Sequence, residues 1–123
     1  MPEKRGYVRF ALKGNITLHP EDDPTRIIKG DLVNISFLGL AANLREDIGT
    51  DTTVQFELTT SLLKVPLTGK GKIKHMKSIT VDNPPLLRVG IIFIDIDKDI
   101  IMRMLNMIQY EISAQQRQKK KPY

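Results

Sequence analysis

Two short polar clusters in the first third of the chain contain residue types that bind anionic nucleotides. The first is an Arg-x-x-x-Arg motif at Arg5 and Arg9, and guanidinium groups bind phosphates and guanine edges through paired hydrogen bonds. The second is an Asn-x-Ser-x-x-Gly motif at Asn34, Ser36 and Gly39, a polar turn that can hydrogen-bond the same ligand from another side. Together the two clusters favour a small anionic guanine nucleotide over a reaction centre.

The spacing within each cluster places its polar side chains on one side of the backbone. In an extended segment Arg5 and Arg9 share a side and lie roughly 13 Å apart, at about 3.3 Å per residue. Asn34 and Ser36 are two residues apart, so they also point the same way. Gly39 is expected to supply a backbone conformation that other residues avoid.

The composition predicts a single globular domain. The chain has 123 residues, of which 27% are charged and 41% hydrophobic, as in an ordinary soluble domain. No apolar run approaches the roughly 18 residues of a membrane helix, and the N-terminus shows no signal peptide. The absence of cysteine removes disulfide and thiol chemistry and fits a reducing compartment. We therefore expect a cytoplasmic protein.

The net charge of +5 is concentrated at the C-terminal end. Lys119, Lys120 and Lys121 contribute three of the positive charges, and such charged ends are commonly solvated. We therefore expect a domain at residues 1–114, which includes an N-terminal arginine arm at 1–9, and a basic disordered tail at 115–123.

Alternating apolar and polar residues predict six strands. The segments with this period of two are 8–18, 27–35, 40–44, 54–58, 63–74 and 87–93. In the first of them Val8 and Phe10 are expected to face inwards. A proline-rich turn at 19–24 separates the first two strands.

Glycines mark places where the predicted strands are irregular. Gly14 is expected to bend the first strand, and residues 30–31 to interrupt the second. Gly69 and Gly71 fall at inward positions of the fifth strand, where a bend or a close neighbour leaves no space for a side chain.

An amphipathic helix is predicted after the last strand. Apolar residues recur at helical spacing over 100–112, Asp97 or Asp99 can cap the first turn, and the pattern fades near Gln115. The helix is expected to cover a second apolar face of the last strand, at Ile92 and Ile94. The fold class is therefore all-β with one C-terminal helix, a six-stranded antiparallel barrel packed against that helix.

The order and separation of these features resemble the PilZ domain family. The motif at Arg5 and Arg9, a strand pair, and the motif at Asn34–Gly39 leading into a barrel strand follow the family's pattern. The strands at 71–73 and 89–93 and the helix after them agree, so the resemblance covers essentially the whole chain. It implies a barrel that binds the bacterial second messenger cyclic di-GMP and acts on a partner or a neighbouring domain.

The resemblance also implies roles for individual residues. Arg5 and Arg9 would contact the phosphates and the O6 and N7 edges of guanine, while Asn34, Ser36 and Gly39 would contact the second guanine and its surroundings. Asn34 stands where many family members have aspartate. Its amide offers one acceptor oxygen, whereas a carboxylate accepts two hydrogen bonds from the guanine edge, so guanine selectivity could be weaker.

The N-terminal arm adds two expectations. Lys4 is a further candidate for a phosphate contact, and in the family a basic residue here can accompany binding of a stacked ligand dimer, which leaves the stoichiometry open. Because Arg5 lies so close to the terminus, the arm is expected to be mobile without ligand. Ordering of the arm by the nucleotide would create a new surface for an unidentified downstream protein.

Two other classes of function compete with a cyclic di-GMP receptor. A PilZ-like adaptor that binds only protein is the first alternative, but the intact arginine motif argues against it. A small nucleic-acid-binding barrel is the second, and it would need more aromatic residues among the basic strands than Tyr7 and Phe10 provide. His19 and His75 lack metal-ligand spacing, and no catalytic motif is visible, so we expect no enzyme, metal or cofactor.

Overall fold

The computed structural model describes residues 8–119, with side-chain surroundings for residues 8–114. This part of the chain contains seven strands and one helix: β1 (Phe10–Ala11), β2 (Asn15–Pro20), β3 (Ile28–Ile35), β4 (Gly39–Leu44), β5 (Thr53–Thr59), β6 (Leu67–Ser78), β7 (Leu87–Ile96) and α1 (Lys98–Lys119). Lys4 and Arg5 lie outside the described residues, as do residues 120–123.

Strands β2 to β7 close into an antiparallel barrel. The sheet runs in the order β3-β2-β5-β6-β7-β4, and pairing of β3 with β4 closes the ring. Closure satisfies the backbone hydrogen-bonding groups that an open sheet would leave at its edges. The predicted six-stranded barrel with one C-terminal helix is confirmed.

The first predicted strand forms two segments that both lie along β3. β2 pairs with the N-terminal half of β3, with Asn15 opposite Asp31, whereas β1 pairs with its C-terminal end, with Ala11 opposite Asn34. The predicted bend at Gly14 separates them. A Cβ atom on Gly14 would lie 2.6 Å from the carbonyl oxygen of Thr59, so the close approach of β5 requires glycine here.

The core fills the barrel and continues onto the helix. The largest completely buried side chains alternate along the strands with outward-facing polar residues: Ile16, Leu18, Ile28, Ile35, Leu44, Val54, Leu58, Ile73, Val89 and Ile91. Ile101, Met104 and Ile108 of α1 belong to the same apolar cluster. Burying each such side chain contributes about 1.5–3 kcal/mol, so the helix is an integral part of the core.

Asp97 caps the helix. The sequence predicted either Asp97 or Asp99 in this role. The Oδ1 atom of Asp97 accepts hydrogen bonds from the backbone nitrogens of Asp99 at 3.0 Å and Ile100 at 3.3 Å, which pairs donors that the first helical turn leaves free. The helix then runs to Lys119. The expected end near Gln115 is therefore wrong, and the start of the expected disordered tail is helical.

The helix does not cover the second apolar face of β7, contrary to the prediction. Ile92 and Ile94 are 46% and 54% exposed. The apolar stripe of α1 instead packs with the barrel core, to which Phe10 and Phe37 also contribute from its margin. The expected inward position of Val8 is also wrong, because this residue precedes β1 and is exposed.

Several strand boundaries differ from the sequence pattern. β2 continues through Pro20, which pairs with Val54, so the turn begins later than predicted. The fifth predicted strand starts at Leu67 rather than at Leu63, because the backbone of Leu63 hydrogen-bonds Thr60 in a turn. β6 and β7 both extend beyond their predicted ends.

Within residues 8–119, no helix has the length and apolar character needed to cross a membrane.

Candidate functional site

A cavity of about 200 Å³ on the outside of the barrel brings Arg9 of the first polar cluster together with the second cluster. Of the predicted site residues, Arg9, Asn34, Ser36 and Gly39 line it. The remaining walls come from neighbouring strands and from the turn between β3 and β4: Leu38, Leu40, Lys74, His75, Gly90, Ile91 and Ile92. The fold therefore joins Arg9 to a motif that lies far from it along the chain.

Ser36 holds the turn between β3 and β4 closed. Its backbone nitrogen donates to the carbonyl oxygen of Gly39 at 2.8 Å, and its hydroxyl donates to the same oxygen at 3.3 Å. The Oγ atom also accepts a hydrogen bond from the Leu38 nitrogen at 3.3 Å. Because a hydroxyl oxygen has two acceptor positions, these hydrogen bonds leave one of them unused.

Gly39 is required by close packing and not by an unusual backbone conformation. Among the described residues the glycine with positive φ is Gly49, so the expected role of Gly39 is wrong. Gly39 pairs with Ile92 at the start of β4, and an added Cβ atom would overlap the carbonyl oxygen of Ile91. Its lack of a side chain lets the turn lie directly against β7.

A bulge in β3 sets the position of Asn34. Leu32 pairs with Ala42 and Asn34 pairs with the preceding residue, Ala41, so Val33 is an extra residue in the ladder. The irregularity predicted at residues 30–31 lies slightly later in the strand. Asn34 is half-buried in the cavity wall, and its side-chain amide makes no hydrogen bond within the described part of the chain.

A second bulge, in β6, adds two residues that the sequence did not identify. Ile73 pairs with Ile91, and His75 pairs with Gly90, so Lys74 is the extra residue. As a result Lys74 and His75 are both exposed and both line the cavity. In a regular strand one of these two neighbouring side chains would point inwards. The sequence does not show that a bulge occurs here, so it could not predict that both residues line the cavity.

The charged side chains of the cavity wall favour an anion. Arg9 and Lys74 contribute two cations, and no carboxylate is among the lining residues. Neither cation makes a hydrogen bond or an ion pair with another residue of the described range. Their charges are therefore available to a bound phosphate.

A larger concavity of about 510 Å³ is less suited to such a ligand. Its lining includes the carboxylates of Glu57, Asp95 and Asp97, which repel anions. Its lysine, Lys70, is already paired, with Nζ 2.8 Å from an oxygen of Glu21. This hydrogen bond and the charge of Glu21 raise the pKa of Lys70. Nor do residues 8–119 contain a cluster of three or more His, Asp or Glu residues suited to a metal ion.

The fold is that of a PilZ domain. The family model for the PilZ domain matches residues 3–110, and the chain therefore belongs to the PilZ domain family. The match spans both polar clusters, the whole barrel and most of the helix. The resemblance of the sequence motifs to this family is therefore confirmed.

Solved structures with the same fold come from several bacteria. The PilZ domain of YcgR from Escherichia coli with c-di-GMP superimposes with a TM-score of 0.70 at 14% identity, over 97% of this chain and 100% of that one. The complex of MrkH from K. pneumonia with c-di-GMP gives 0.68 at 17% identity, over 97% and 56%. The inhibitor of motility MotI/DgrA from Bacillus subtilis gives 0.67 at 15% identity, over 97% and 55%.

The chain thus spans just over half the length of MrkH and MotI/DgrA. At these identities the likeness concerns the fold. A search of curated proteins gave no match.

Proposed function

We propose that this PilZ domain is a receptor for cyclic di-GMP, which it binds at the cavity between Arg9 and the β3–β4 turn. The observation that carries the proposal is that Arg9 of the first motif lines the same cavity as Asn34, Ser36 and Gly39 of the second. Arg9 and Asn34 offer side chains without a hydrogen-bonding partner in the described part of the chain. The c-di-GMP complexes of YcgR and MrkH, which share the fold, support this ligand over other anions.

Each residue type suits one part of the ligand. The Arg9 guanidinium binds a phosphate and the acceptor edge of a guanine, for which its planar donors are well matched. Asn34 pairs with the polar edge of the second guanine, and the free acceptor position of Ser36 adds a contact beside it. Arg5 and Lys4 complete the set of ligand-binding residues from the N-terminal arm, and Gly39 keeps the turn close enough to β7 to form the floor.

The output passes through another protein. We infer that nucleotide binding orders the N-terminal arm over the barrel and so forms a surface that a downstream partner recognises. In this scheme the domain works in the bacterial cytoplasm as a binding module, without catalytic residues or a cofactor. Whether one or two nucleotides bind is measurable from the same titrations that test binding.

Titration calorimetry with cyclic di-GMP tests the proposal. We expect a dissociation constant of about 1 μM or below, which corresponds to roughly 8 kcal/mol of binding free energy. Cyclic di-AMP is the matched control ligand, since it has the same phosphates but lacks the guanine edges, and we expect it to bind much more weakly. Absence of binding heat with cyclic di-GMP at high protein concentration would overturn the proposal.

The same apparatus separates the receptor from a nucleic-acid-binding barrel. Binding to single-stranded RNA depends steeply on salt, because each neutralised phosphate releases counterions. We expect no RNA binding at either of two salt concentrations. Tight, salt-sensitive RNA binding without a response to cyclic di-GMP would favour that rival function.

A further inference from the structure

The bulge in β6 places a second cation at the nucleotide cavity. Ile73 is buried and pairs with Ile91 in the regular ladder. The register then shifts, so that Lys74 has no partner residue in β7 and His75 pairs with Gly90. Bulges of this kind redirect side chains and commonly occur beside functional sites. Here the result is that two successive side chains point outwards.

The contact between His75 and Gly90 fits the local geometry of this bulge. A Cβ atom on Gly90 would lie 3.2 Å from Cδ2 of His75 and 3.7 Å from its Cβ. The imidazole therefore lies against the backbone of β7, in space that a side chain at position 90 would otherwise fill. This packing keeps His75 on the outer face and holds Lys74 beside the cavity.

Lys74 and Arg9 flank the cavity from opposite sides. Arg9 directly precedes β1, which lies along β3, whereas Lys74 is on β6. The sheet order places β4 and β7 between β3 and β6. A ligand that spans this cavity therefore meets Arg9 at one edge and Lys74 at the other.

We propose that Lys74 is a phosphate-binding residue of the nucleotide site, positioned by the β6 bulge. The inference rests on the proposed function and names a residue that neither polar motif contains. Lys74 is exposed and makes no ion pair within residues 8–119, so its ammonium group has no carboxylate to compete with a phosphate. Cyclic di-GMP carries two phosphates, and Lys74 supplies a second cation at the cavity, beside that of Arg9.

Two other lysines of β6 show why position 74 is distinctive. Lys72 and Lys77 pair with residues of β7 in the regular parts of the ladder, and neither lines the cavity. A general attraction between a basic strand and an anion acts over about 10 Å. It would therefore give Lys72, Lys74 and Lys77 similar effects on ligand affinity. A direct phosphate contact makes Lys74 different from both.

Titration calorimetry of matched variants tests the assignment. Lys74→Met keeps most of the aliphatic stem and removes the charge, and we expect it to weaken cyclic di-GMP binding roughly tenfold, as for a lost hydrogen bond to a charged group. Lys72→Met removes the same charge from the same strand and should bind within about twofold of the wild type. Lys74→Arg restores a cation and should recover most of the affinity.

Salt dependence provides a second readout. Salt weakens a contact between opposite charges by screening it, so the loss of such a contact reduces the dependence of affinity on salt. We therefore expect a shallower slope for Lys74→Met than for Lys72→Met. Equal affinities and slopes for these two variants would overturn the assignment of Lys74 while leaving the receptor function intact. Absence of binding by the wild type would instead overturn the proposed function itself.

Discussion

Gly39 lies so close to Ile91 that a methyl group on its α-carbon would overlap the Ile91 carbonyl oxygen. This oxygen belongs to the backbone of β7. A change of side-chain rotamer therefore cannot make space for a side chain at position 39. This contact brings the β3–β4 turn, with Ser36 at its start, against β7 beside the candidate cavity.

Gly39→Ala should therefore destabilise the barrel and weaken the ligand site. We expect a loss of about 1–3 kcal/mol in the free energy of unfolding, typical of overpacking, measured by urea denaturation. Gly90→Ala is the control, because the atoms nearest to its new methyl group belong to the exposed His75 side chain, at 3.2 Å or more, and not to the backbone. Equal stabilities of these two variants would contradict the packing role of Gly39.

Ser36→Ala should loosen the turn that carries the second motif. The variant loses the hydroxyl contacts to the Gly39 carbonyl oxygen and the Leu38 nitrogen, and we expect about 1 kcal/mol of lost stability. Ser78→Ala also removes a hydroxyl-to-carbonyl bond, but from an exposed position, and should cost less. If the two variants unfold at the same urea concentration, the Ser36 hydroxyl does not stabilise the turn.

Asn34→Asp should sharpen the discrimination between guanine and related bases. A carboxylate accepts hydrogen bonds from both the N1–H and the amino group, whereas the amide oxygen of Asn34 is a single acceptor. We expect the affinity ratio between cyclic di-GMP and its hypoxanthine analogue, which lacks the amino groups, to increase at least about threefold.

The control for this substitution is Asn106→Asp, which adds the same negative charge on the exposed face of α1. Its affinity ratio should equal that of the wild type. An unchanged ratio in Asn34→Asp would show that residue 34 does not read the guanine edge.

Ile101→Ala should show that the helix belongs to the barrel core. Ile101 is completely buried, and its truncation leaves a cavity that we expect to cost about 2–5 kcal/mol in unfolding free energy. Met102→Ala, at the neighbouring position, removes a side chain that is 45% exposed and should cost much less. A small effect of Ile101→Ala would mean that the helix packs only loosely on the barrel.

The fold class could be predicted from the sequence because its dominant signals are local. Alternation along the strands, the helical spacing after Asp97 and the glycine at position 14 each specify a feature of the backbone nearby. The position of the helix could not be predicted in this way. Ile92 and Ile94 offer an apolar surface, but the helix packs instead with the barrel core, against which Phe37 also packs.

The candidate site was predicted only in part, for a physical reason. Arg9, Asn34 and Ser36 belong to motifs whose spacing is visible in the sequence. Lys74 reaches the cavity through a one-residue register shift, which depends on pairing between β6 and β7 and leaves no local signal. Gly39 was recognised, but its role depends on a neighbour more than fifty positions away, Ile91.

The most direct test of the receptor function is calorimetric titration of cyclic di-GMP into the wild type, Arg9→Ala and Arg103→Ala. Arg9 lines the cavity, whereas Arg103 is exposed on the helix, so both variants lose the same charge and only one loses the site. We predict binding at about 1 μM or tighter for the wild type and Arg103→Ala, and a loss of roughly a hundredfold or more for Arg9→Ala. Equal binding by all three proteins would contradict the assignment of this cavity to the nucleotide.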